Sequence, residues 1–486
     1  MSNLDTTIEQ TGTCQSTAAA NSTTDLGIDI GTRSGRALLL SELFAKTRQI
    51  AKGTDDRASA QRDAFIAFAV RVASAALLYL SQIALARWMG GFEYGIYVFV
   101  WTWVVVLGGL CHAGFNLSII RLAPEYRETK SYGLLYGLVR CSRLVTLGIG
   151  TVVMLVGVTG LWLFEPLSQA YAIPAYLALI CIPLYAITYI QDGLGRGLGW
   201  MTAALVPTYI LRPIMILAVM FIAGLYGWEQ NAKTAAMAAI IATYAMSALQ
   251  LLVIDHKIKQ QIPAAQRQYD FKSWTTMSMP LLIIGACDLL LQNTDVLIVS
   301  RYLSPTDVGI YFAAAKTMSL ILFVHYAVGS AVANRFSALN ARGDDAKLRA
   351  FVKDAVNWTF WPSLASAIII LILGPFLLSL FGPDFVSGFP VMAILVVGFM
   401  FRSAVGPADF LLNMLGEQRR AAFALVLTVI LNIVLNFLLV PQYGLVGAAS
   451  ATSISLAFVA TMHYFIARHR LGIDMGIWKN LPTIRR

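Results

Sequence analysis

The sequence predicts an all-α polytopic membrane protein of about 12 transmembrane helices, in two parallel-repeat six-helix lobes around a central cavity. Three observations carry this expectation. Of 486 residues, 58% are hydrophobic and 13% are charged, about half the charge that covers a water-facing surface, so lipid must be the main solvent. Twelve stretches are apolar over about 20 residues, the length that crosses hydrocarbon. One segment occurs twice: RWMGGFEYGIY at 87–97 returns 214 residues later as RYLSPTDVGIY at 301–311, with Arg, Gly, Ile and Tyr in register. Duplications of this kind build many transporters, with the substrate at the repeat interface.

Residues 1–63 are rich in Ser, Thr, Ala and Asp and hold no long apolar run. They read as a disordered or weakly helical cytoplasmic N-terminal extension, and not as a signal peptide, since a charged n-region followed by an apolar h-region is missing. GIDIGT at 27–32 resembles a phosphate loop of actin-like sugar kinases, but the membrane part follows too soon to leave room for an ATPase domain. The N-lobe (64–254) has spans near 64–86, 94–117, 144–164, 172–194, 201–225 and 234–254. A polar cytoplasmic linker (255–272) joins it to the C-lobe (273–467), whose spans lie near 278–300, 308–333, 356–381, 389–414, 421–440 and 445–467. A cytoplasmic tail, 468–486, follows.

Lys and Arg fix the expected orientation. Of 36, 29 fall on the side of the linker, only Arg87, Lys233 and Arg301 on the other, and four lie inside spans. Both termini of this multi-pass protein are therefore expected in the cytoplasm. Topology accounts for the net charge of +10, so nucleic acid is not needed as a partner. Six spans per half is an even number, so the two repeats enter from the same side and are parallel. The five cysteines form no CxxC and the five histidines no ligand spacing, so neither a metal site nor a disulfide framework is expected.

Charges inside spans are costly, about 2.5–3.5 kcal/mol on insertion scales, and mark cavities or partners. The basic candidates are Arg71, Arg212, Lys316 and Arg402; the acids are Asp288, Asp295 and Asp409. Asp288, Gln292 and Asp295 form one stripe on the seventh span, and Arg71, Ser74 and Gln82 stay on one side of the first. The repeat offset maps Asp288 and Asp295 onto Ser74 and Ser81, so spans one and seven are expected to line a shared cavity; polar contacts between helices are the other reading. Arg212 lies between Pro207 and Pro213 on an expected kink, and its guanidinium suits phosphate. Arg402 and Asp409, about 10 Å apart along a straight helix, are too far to pair directly. Lys316 is open to three readings: a cavity cation, a buried pair with Asp288 or Asp295, or a side chain snorkelling to the interface. His325, on the opposite face from Lys316, reads as packing. Gly95 and Gly309 in the repeats read as sites of close helix packing.

QIALARWMGGFEYGIYVFVW (82–101), RLAPEYRE (121–128), LLNMLGEQRRAAF (411–423) and LNIVLNFLLVPQYGLVGAASATSIS (431–455) together resemble the bacterial oligosaccharide flippases, the Wzx-type polysaccharide exporters of the multidrug/oligosaccharidyl-lipid/polysaccharide exporter superfamily. The resemblance runs from about 62 to 470; the long N-terminal extension departs from it. It implies translocation of undecaprenyl-diphosphate-linked oligosaccharide between the leaflets of the inner membrane for exopolysaccharide, capsule or O-antigen synthesis. Arg71, Arg212, Lys316 and Arg402 would hold the anion, and Asp288, Asp295 and Asp409 would serve proton or sodium coupling. Membrane lipid, a polymerase and glycosyltransferases would be partners; no enzymatic activity and no cofactor are expected. A cation-coupled multidrug exporter of the same superfamily stays open as an alternative. A polysaccharide polymerase or ligase fits less well, because the loops opposite the linker are short and carry only Arg87, Lys233 and Arg301.

Overall fold

In the computed structural model of the protein the described residues are 56–164 and 169–479, with side chains described from Ala73. The expected extension, 1–63 with its GIDIGT, lies outside them except for helical backbone from Asp56. Among the described residues all regular structure is helical, and ten helices are long and apolar enough to cross a membrane. Two of these are broken where glycine takes left-handed dihedrals: α1 (Asp56–Cys111) at Gly90, φ 75°, and α13 (Gln418–Arg470) at Gly444, φ 58°. Each supplies two spans, which gives the twelve expected.

The remaining helices are α2 (Phe115–Glu128), α3 (Tyr132–Phe164), α4 (Gln169–Gly197), α5 (Met201–Val206), α6 (Arg212–Leu225) and α7 (Ala232–Gln261) in the first half. In the second half they are α8 (Phe271–Tyr302), α9 (Pro305–Ala341), α10 (Asp345–Ser379), α11 (Phe389–Ala404) and α12 (Ala408–Met414). Their starts follow capping chemistry. The Asn231 side chain accepts from the Thr234 N–H, Asp270 accepts from Ser273, and Ser304 with Asp307 closes a capping box before α9. The helices outrun the apolar spans on the linker face. Arg121, Arg127, Arg140 and Arg143, and Arg335, Lys347, Arg349 and Lys353, were expected in loops but stand on helices. The hydrogen bonds of a helix do not need lipid, so the backbone continues into the headgroup region until a cap ends it.

Buried apolar packing differs between the two faces. Toward the face opposite the linker (the far face), both halves share one cluster: Leu85, Tyr94 and Val98 of α1 with Val299, Tyr311 and Phe381. Toward the linker face the packing divides. Phe115, Leu138, Ile190 and Ile258 of the first half form one cluster, and Phe336, Val352, Leu411 and Ala460 of the second form another. The exception is the first part of α8. Trp274 lies in the first-half cluster and donates through its indole N–H to the Tyr126 hydroxyl at 2.9 Å, and Ser278 and Ser118 are hydrogen-bonded at 2.7 Å.

The far-face junction uses the repeated segments. A Cβ on Gly95 would overlap the Pro305 carbonyl, and one on Gly309 would sit 3.2 Å from the Gly91 carbonyl oxygen. Two symmetry-related helix starts therefore touch backbone to backbone, a contact only small residues permit. The Arg87 guanidinium crosses to the second half and donates to the Ser379 and Leu380 carbonyls at 2.7 and 2.6 Å. The Tyr79 and Thr317 hydroxyls meet at 3.1 Å.

Candidate functional site

The polar residues of the second half converge. A cavity of about 150 Å³ is lined by Asp288, Gln292 and Asp295 of α8, Lys316 of α9, Arg402 of α11 and Thr452 of α13, among others. The stripe read from the four- and three-residue spacing is therefore real, and Asp288 and Gln292 are the exposed members of it. Asp295 is buried and held by neutral donors: the Tyr311 hydroxyl at 2.5 Å, the Val296 N–H at 3.0 Å and the Thr452 hydroxyl at 3.4 Å. Lys316 rests its ammonium over the Phe312 ring, 4.9 Å from the centroid. Among the described residues no carboxylate lies within 4.0 Å of it, so the direct pair with Asp288 or Asp295 is not formed.

A second cavity of about 110 Å³ adjoins the first through Asp288 and Arg402 and adds Asp409, Asn413, Gln418 and His463. Here one expectation is overturned. Arg402 and Asp409 pair, Nη2 to Oδ2, at 3.3 Å. A continuous helix would hold them apart, but α11 ends at Ala404 and α12 begins at Ala408, with Gly406 at φ 66° between them. The break turns the chain and brings the carboxylate back beside the guanidinium. His325 packs as expected, against the Phe399 and Phe410 rings, and it also approaches Asp409. It is buried, and its Nε2 lies 3.4 Å from Asp409 Oδ1, without the alignment of a hydrogen bond. Neither contact is visible in helical spacing, because Arg402, Asp409 and His325 come from three helices.

The first half is of another kind. Arg212 follows a π-helical turn, Pro207–Leu211, in which its N–H bonds the Pro207 carbonyl five residues back. Pro213 has no N–H and its ring excludes the carbonyl four residues behind, which widens the turn. The guanidinium lies 4.9 Å from the Tyr185 ring centroid and 5.8 Å from that of Trp101. Trp101 stacks on Tyr97, and Tyr185 meets Tyr189 edge to face. Arg212 Nη1 is buried without a hydrogen-bond partner, and no carboxylate lies within 4.0 Å among the described residues.

Of the residues expected to line a cavity from span one, the side chains of Ser74 and Gln82 are described. Gln82 is engaged at the far-face junction, accepting from the Tyr94 hydroxyl at 3.0 Å. Neither it nor Ser74, which has a partner of its own, lines the two second-half cavities. The Arg71 side chain lies outside the described residues.

A family described as "Polysaccharide biosynthesis protein" matches residues 60–338, and one described as MatE matches 280–438. A probable low-salt glycan biosynthesis flippase, Agl15, of Haloferax volcanii is 25% identical over 35% of this chain and 36% of its own length, so the alignment spans about a third of that relative. A putative O-antigen transporter of Shigella flexneri is 22% identical over 78% of this chain and 90% of its own. Among solved structures, an inward-facing multidrug resistance MATE family transporter of the MOP superfamily superimposes with a TM-score of 0.68 at 14% identity, covering 83% of this chain and 98% of that one. At that identity the likeness concerns the fold alone.

Proposed function

As the chain belongs to the polysaccharide biosynthesis protein family, we propose that it translocates a polyprenyl-diphosphate-linked oligosaccharide across the inner membrane by alternating access. The observation that carries this reading is Arg212: a guanidinium at membrane depth, between aromatic faces, with no carboxylate at hand and a buried N–H left unbonded. An unpaired donor in a low-dielectric site is costly until an anion accepts from it. Phosphate oxygens accept from guanidinium, and aromatic walls suit sugar faces and the cation alike. The diphosphate cannot cross hydrocarbon bare; the polyprenyl chain stays in lipid.

The divided packing on the linker face and the shared packing on the far face fit a state open toward the linker. The weight of Lys and Arg on that face supports a cytoplasmic assignment for it and for both termini. Asp288, Asp409, Arg402, His325 and His463 form the titratable group in the second half, and we assign proton or sodium coupling to it. Lys316 and Arg402, mixed there with acids, fit this coupling group better than the anion site. The glycan's supply and use call for glycosyltransferases and a polymerase as pathway partners.

The test is flipping of a fluorescent lipid-linked oligosaccharide in proteoliposomes. Arg212→Ala should slow it about tenfold or more, the value of a lost charge-assisted hydrogen bond, at unchanged membrane content. A second reading, export of cationic compounds, draws on the acids Asp288 and Asp295 in the second-half cavity. Dye efflux by the wild type, with flipping indifferent to Arg212, would favour it.

A further inference from the structure

A third cavity, of about 360 Å³, lies in the first half between α3 and α7 at the linker face, and shares no lining residue with the two second-half cavities. Its wall carries Tyr136, Arg140 and Arg143 of α3, Asp255 and Lys259 of α7, and Arg267 of the linker. The α3 residues are spaced four and three apart and share a face; Asp255 and Lys259 are one turn apart. The linker supplies Arg267 because it is docked. The Gln268 N–H donates to the Gly133 carbonyl at 2.9 Å, and a Cβ on Gly133 or Gly137 would overlap the carbonyl of Gln266 or Gln268. Tyr136 fastens the start of the linker by donating to the Ile262 carbonyl at 3.3 Å.

The charges do not cancel. Asp255 is taken by Arg143, Nη1 to Oδ1, at 2.7 Å. Arg143 also donates to Gln191 at 3.1 Å, yet its Nε is buried with no partner. Arg140, Lys259 and Arg267 are exposed around this floor, with no ion pair among the described residues. Directly above, toward the bilayer, the same two helices present bare apolar side chains: Leu144 and Leu147 on α3, Leu249 and Leu252 on α7. A cationic cup at the end of an apolar stripe matches a molecule with an anionic head and acyl chains.

We propose that this cup binds the phosphate headgroup of an anionic phospholipid of the linker-side leaflet, with its acyl chains along the α3–α7 stripe. Arg143 Nε and the three exposed cations would hold the phosphate. The site is separate from Arg212 and does not depend on the transport reading.

The experiment is native mass spectrometry of the purified full chain from mixed micelles of phosphatidylglycerol and phosphatidylcholine. Phosphatidylglycerol should be retained selectively. Arg140→Gln, Lys259→Gln and Arg267→Gln should each weaken retention about fivefold, the value of one surface cation near an anionic headgroup; all three side chains are exposed, so the variants should fold. Inorganic phosphate at millimolar concentration should not displace the lipid. Equal retention of the two lipids, or wild-type retention by all three variants, would overturn the proposal. Displacement by inorganic phosphate would overturn it too, since the cup would then be a free-anion site.

Discussion

Arg402 and Asp409 stand 3.3 Å apart across a helix break, with His325 against the other carboxylate oxygen. Each charge is half of what makes the other tolerable at membrane depth. Asp409→Asn should therefore lower thermal stability in detergent by about 1–3 kcal/mol, less than a fully enclosed pair because both side chains remain partly open. The double variant Arg402→Leu/Asp409→Leu should recover part of that loss. A double variant as unstable as the sum of the singles would show that the two residues do not act as a pair.

Arg212→Lys keeps the charge but loses the planar fork. The shorter-reach ammonium still meets the rings, so the protein should fold and reach the membrane normally. Flipping should fall between wild type and Arg212→Ala. Full activity of the lysine variant would mean that charge alone matters at this position.

Gly95→Val places carbon where the Pro305 carbonyl lies. Overpacking of this kind costs about 1–3 kcal/mol, charged only to the state in which the lobes meet at the far face. Hydrogen exchange of 85–97 and 304–312 should accelerate about tenfold, and transport should fall with it. Unchanged exchange would place the contact outside the moving interface.

Arg87→Gln removes the donors to the Ser379 and Leu380 carbonyls. The site is exposed, so overall stability should shift by less than about 1 kcal/mol, while the same far-face segments exchange faster. A large drop in melting temperature would assign Arg87 a role in folding instead.

The segment after α13 has its own pH signature. Burial works to raise the Asp474 carboxyl, but the Lys479 ammonium, the Gly476 N–H and the Tyr464 hydroxyl outweigh it and hold it below its ordinary 3.8. A depressed carboxyl contributes stability above its unfolded value and loses it as pH falls through the lower folded one. Proteolysis of 471–479 should therefore rise only below about pH 4, and Asp474→Asn should make it pH-independent. The same acid onset in the variant would point to another group.

Much of this was written in the chain. Hydropathy and the sorting of Lys and Arg sufficed for twelve spans, because both respond to the bilayer rather than to particular neighbours. Pro207 and Pro213 marked the irregular turn before Arg212, since proline's missing N–H acts locally. The Asp288–Gln292–Asp295 stripe was legible because it needs only one unbroken helix. Arg402 and Asp409 were misjudged for the converse reason: the break at Gly406 cannot be inferred from one glycine and one proline among many. The Trp101–Tyr185 walls and the approach of His325 to Asp409 were missed because they arise only between helices distant in sequence.

The seventh spanning helix, α8, has divided allegiance. Its first turns are fastened to the opposite half through Trp274 and Ser278, whereas Asp295 is held by Tyr311 and Thr452 of its own. Under the proposed alternating access, a rod pinned at both ends to two halves that move apart would have to flex along its length. Pro280 removes one backbone bond, and a Cβ at Gly285 would meet nothing within 4 Å, so bending concentrates there, one turn before Asp288. Such flexing would displace the Asp288 carboxylate, which would tie the proposed coupling group to the movement.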